Sequence, residues 1–69
     1  MISYKPLLKL LIDKNLKKGD LITMAGITKA TIAKLSKDNN YVSLEIIDKI
    51  CAALNCQPGD LIEYIPDND

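Results

Sequence analysis

Apolar side chains recur along this chain at intervals of three and four residues, the period of helices with one buried face. Over residues 5 to 15 the stripe is Leu7, Leu8, Leu11 and Ile12, widened by Leu10. Pro6 suits a first helical turn, and Ser3 is a candidate cap. A stripe this wide faces the core, or both the core and a second subunit. Asn15 closes this helix and Leu16 drops into the core. A second helix runs from about residue 18 to 24 or 25, with Asp20 near the positive end of its dipole. Gly19 weakens that helix by about 1 kcal/mol at most. Gly26 then supplies a left-handed stop, and Thr28 caps a third helix over about residues 29 to 36. Two helices joined this tightly cross steeply, as in a helix-turn-helix. A polar loop with Asp38, Asn39 and Asn40 follows. Ser43 caps a fourth helix over residues 44 to 54, with Leu44, Ile47, Ile50, Cys51 and Leu54 as its core stripe. Asn55 ends it, Pro58 opens a fifth helix through about residue 64, and Pro66 terminates the fold.

The centre of this pattern is the stretch from residue 21 to 35. Leu21, Ala25, Ile27, Ile32 and Leu35 share one buried face, which leaves Lys29, Ala30 and Lys34 outside. Lys17 and Lys18 stand where the second helix begins. A short basic helix with small side chains, clamped from behind, is what docking into a DNA groove requires.

Charge sharpens this reading only when its distribution is considered. The total is zero. Residues 1 to 37, however, hold eight lysines against Asp13 and Asp20, while residues 38 to 69 hold Lys49 against seven acids. A basic half for phosphates and an acidic remainder fit selective nucleic-acid binding.

Size and composition then set the bounds. Sixty-nine residues make a single domain, 1–69, near the lower limit for a core that folds alone. Cys51 and Cys56 are too few for a disulfide scaffold. They lie five apart on or next to a predicted helix, hence on different faces of it, so reduced, buried thiols are expected. The chain has no apolar run near the roughly 20 residues that span a bilayer, and Lys9 breaks the N-terminal apolar run. A cytoplasmic protein is expected. Catalysis finds no support: there is no histidine, neither cysteine has an activating partner, and Glu45 with Asp48 reads as solvated surface. Two cysteines make no zinc site, so no metal, cofactor or small-molecule ligand is expected.

The residues Leu21, Gly26, Ile27, Ile32 and Leu35 resemble the buried and turn positions of the Cro/CI-type (XRE-like) helix-turn-helix regulators. The helix from Ser43 to Leu54 and the ending NCQPGDLIEY extend the resemblance over nearly the whole chain. It implies an all-α, compact five-helix bundle, a lambda repressor-like DNA-binding domain, that binds double-stranded operator DNA as a homodimer. The helix beginning at Lys29 would be the recognition helix, with Lys29, Ala30 and Lys34 at base edges. Lys18 and Thr28 would meet phosphate, with Lys37, Asn39 and Asn40 close to the backbone. Chemistry adds detail. Lysines such as Lys17 and Lys18 release counterions from phosphate, Lys29 or Lys34 can donate to guanine, and Ala30 with the Thr31 methyl can lie against thymine. For Thr31, local backbone bonding is an equal alternative. Ile22 stands where the family usually carries alanine, and the chain contains no arginine.

The expected function is therefore a noncatalytic, sequence-specific transcriptional regulator, a repressor in its simplest form. The competing reading is a protein-interaction module of the same fold that regulates through a protein partner. The arrangement of Lys17, Lys18, Lys29, Lys34 and Lys37 decides between them: together they favour DNA, interrupted by acids they favour the module.

Overall fold

A computed structural model describes residues 1–37 and 40–66. In these, four α-helices are framed by a short antiparallel ribbon. The order is β1 (Ile2–Ser3), α1 (Lys5–Asp13), α2 (Lys18–Ala25), α3 (Lys29–Leu35), α4 (Leu44–Leu54), a 3-10 turn (Pro58–Asp60) and β2 (Glu63–Tyr64). The helices begin and end where local chemistry directs. Asn15 and Asn55 take positive φ values of 57° and 52° after α1 and α4, a conformation that asparagine tolerates better than most residues. Ser43 Oγ accepts from the Ile46 N–H to cap α4.

The expected fifth helix does not form. Pro58–Asp60 makes one 3-10 turn, and the chain then runs extended against β1, pairing Ile2 with Tyr64 and Ser3 with Glu63. Only seven residues separate Pro58 from Pro66, and Pro66 disfavours helical backbone at Ile65. The ribbon satisfies the backbone groups instead. The Ile65 N–H donates to the Met1 carbonyl at 2.8 Å and the Met1 amine to the Ile65 carbonyl at 2.7 Å. Leu61 also feeds the start of α1, since its carbonyl accepts the Leu7 N–H at 3.2 Å. A helix N-terminus leaves such amides without partners of its own.

One core joins all of this: Tyr4, Leu7, Leu11, Leu21, Ile27, Ile32, Leu35, Ile47, Ile50, Leu54 and Leu61. Two residues expected in the core are exposed instead. Ile12 is 77% exposed at the end of α1, and Leu44 is 81% exposed at the start of α4. Tyr4, 3% exposed, and Leu61 are core members that the helical pattern did not mark.

The cysteines are reduced as expected, but their placement differs. Both are free, half-buried thiols packed against the core. They are neighbours rather than residents of opposite faces. The left-handed Asn55 reverses the chain so that the Cys56 N–H donates back to the Cys51 carbonyl at 3.1 Å. Burial first, then the charge and hydrogen bonding of Cys51 and the charge of Asp60, raise the Cys56 thiol above its ordinary pKa; Lys14 offsets part of this.

Candidate nucleic-acid interface

The interface is built on α3, whose start is set by Thr28. Its backbone is extended, and its Oγ1 accepts the Thr31 N–H at 3.2 Å. From there Ile32 and Leu35 turn into the core and fix the helix from behind. Lys29, Ala30, Ala33, Lys34 and Lys37 are exposed. Their spacing of one, three, one and three places them along one side of the helix and its exit. Among the described residues, that side carries three ammonium groups and two methyls, and no carboxylate. The methyls let the helix axis approach a surface closely, while the lysines extend beyond them.

The joint that aims α3 rests on Gly26, which ends α2 with φ 67°. Its N–H and that of Ile27 both donate to the Ile22 carbonyl, at 3.0 and 3.3 Å. Ile22 itself is half-buried and packs against the core, so its branched side chain is absorbed in the fold. Ile27 is buried at the elbow between the helices.

Lys17 and Lys18 are exposed at the start of α2, about one turn from Asp20. The Asp20 carboxylate accepts the Lys17 N–H at 2.9 Å, so this acid is engaged in starting the helix. Among the described residues, the side-chain ion pair is Glu45 with Lys49 at 3.7 Å on α4, and it leaves the α2 and α3 lysines out.

Thr28 is exposed, but its hydroxyl is occupied by the cap. Thr31 is half-buried, with its Oγ1 3.1 Å from that of Thr28, so its hydroxyl bonds locally. Asn40 is half-buried; its side-chain N–H donates to the Lys34 carbonyl at 3.4 Å, and its carbonyl accepts from the Tyr4 hydroxyl at 2.6 Å. Asn39 lies outside the described residues. Two residues were missed by sequence reasoning. Ala33 shares the exposed stripe, a position readable from its spacing to Lys29 and Ala30. Tyr41, 72% exposed just after Asn40, had no periodic signal to mark it.

A family model of the Cro/C1-type helix-turn-helix DNA-binding domain matches residues 6–67. YozG of Bacillus subtilis (strain 168), an uncharacterised helix-turn-helix-type transcriptional regulator, is 34% identical over 61 residues, spanning 87% of this chain and 73% of YozG. The crystal structure of the transcriptional regulator VanUg, in its form II, superposes with a TM-score of 0.86 at 48% identity, covering 96% of this chain and 87% of that one. Elbow, clamped helix and basic outer stripe thus coincide with a match across almost the full length: the chain belongs to the Cro/C1-type helix-turn-helix DNA-binding domain family.

Proposed function

We propose that this domain is a sequence-reading transcriptional regulator that lays α3 in the major groove of double-stranded operator DNA and acts as a repressor. The observation that carries this reading is the outer stripe of α3, Lys29, Ala30, Ala33, Lys34 and Lys37, held rigidly by buried Ile32 and Leu35. Family membership and the two regulators it resembles support the same reading. Within it, Lys29, Ala30, Lys34 and the methyl of Thr31 face base edges. Lys17, Lys18, Thr28, Lys37 and the Asn39–Asn40 segment follow phosphates. The role is noncatalytic, and the protein acts in the cytoplasm; no helix among the described residues is long and apolar enough to cross a membrane.

A homodimer completes the proposal. A seven-residue reading helix spans few base pairs, so two half-sites add the discrimination one lacks. Ile12 on α1 and Tyr64 on β2 are the exposed apolar side chains of the two surfaces best suited to pair. Selection of bound duplexes from a random pool tests the reading. Enrichment of a partly symmetric sequence with half-sites about 34 Å apart is expected. Failure to enrich any sequence, with the folded protein retained by a protein partner instead, would favour the interaction module.

A further inference from the structure

Tyr4 is remote from α3 in sequence, yet its hydroxyl reaches the segment that leaves α3. The ring is a core member, and its O–H donates to the Asn40 carbonyl at 2.6 Å across 36 positions. A phenylalanine would fill the same space. Buried tyrosine hydroxyls find partners, and this one finds a backbone carbonyl in the connection between α3 and α4.

Among the described residues of that connection, the other hydrogen bonds lie close to the end of α3. Ser36 closes α3, its N–H and Oγ both donating to the Ile32 carbonyl at 3.0 and 2.9 Å. The Lys34 carbonyl then accepts from the Lys37 N–H at 3.3 Å and from the Asn40 side chain at 3.4 Å, both near the long limit. The Tyr4 bond is the short one. Beyond it, Val42 packs on the core and Ser43 starts α4. Lys37 and Tyr41, both exposed, flank the anchored residue.

From this geometry we infer that Tyr4 is a positioning residue for DNA binding. Its hydroxyl fixes the α3–α4 connection so that Lys37 and Tyr41 stay on the phosphate side of the recognition helix. The inference rests on the DNA-binding reading above. It adds a residue with no DNA contact of its own to those that set affinity.

The test compares wild type with Tyr4→Phe, Lys37→Ala and the double variant, in binding to duplex DNA over a range of salt concentrations. Backbone amide exchange is followed in the free proteins. Tyr4→Phe should keep the helical spectrum and speed exchange selectively around residues 37 to 42. Its affinity should fall about 3- to 10-fold, the scale of one lost hydrogen bond. Its salt slope should become shallower by about 1, one phosphate contact. Combined with Lys37→Ala, the loss should be less than additive, since both act through one contact. Wild-type affinity and slope in Tyr4→Phe would overturn the role of Tyr4. So would a loss with unchanged slope and exchange raised throughout the chain, which marks a core effect alone. Wild type that fails to bind any duplex would instead overturn the DNA reading itself, and this role with it.

Discussion

Lys18 and Lys34 carry similar charge but different expected duties, and substitution separates them. Lys34→Ala should narrow the gap between preferred and random DNA, since a good base contact discriminates by about 1–3 kcal/mol. Lys18→Ala should weaken both sequences alike and flatten the salt dependence. Equal losses from Lys34→Ala on all sequences would remove it from base reading. Two glycines make a second pair. Gly26 at φ 67° tolerates a side chain poorly, and Gly26→Ala should cost about 1 kcal/mol or more in chemical denaturation. Gly19 lies in α2 with open space where a Cβ would stand, so Gly19→Ala should add about 0.5 kcal/mol.

Cys56 offers a pH signature at the same scale. Its folded pKa is raised above 9.0, so folding favours the protonated thiol. The stabilising contribution is complete below that value and lost as pH rises through the folded pKa. Denaturation midpoints followed upward from about pH 8 should therefore fall more steeply for wild type than for Cys56→Ser. Identical curves would show that burial of this thiol has no thermodynamic weight.

Among the elements, α3 depends most on its anchors. It has seven residues, too few to hold together without packing. Ile32→Ala should cost about 2–4 kcal/mol in thermal or chemical unfolding and reduce DNA binding through the folded fraction. This is also the scale at which the sequence was most readable. The bounds of α2 and α3 follow from Gly26 and Thr28, signals that act within a few residues. The ribbon of β1 and β2 was not readable, because two-residue strands have no period and their partners lie at opposite ends of the chain. Cys51 and Cys56 would sit about 140° apart on a continuous helix, but one left-handed residue between them cancels that geometry. Tyr4 was missed for a related reason: its burial depends on where the far end of the chain comes to rest. Ala33 was legible and overlooked, whereas Tyr41 lies in a segment without periodicity.

At the scale of the whole molecule, fold and charge division serve one arrangement. The basic half contains β1, α1, α2 and α3, and the acidic half supplies α4, the 3-10 turn and β2. Neutral net charge therefore coexists with a basic reading face. Affinity measured against salt on duplex DNA, for wild type beside Lys34→Ala, tests this most directly. Wild-type binding should fall steeply with salt, at roughly 0.9 in slope per phosphate contact. A preference for particular sequences should remain, and Lys34→Ala should diminish it. Folded protein that binds no duplex at low salt would contradict a DNA-reading role and turn attention to exposed apolar residues such as Ile12 or Leu44 as protein contacts.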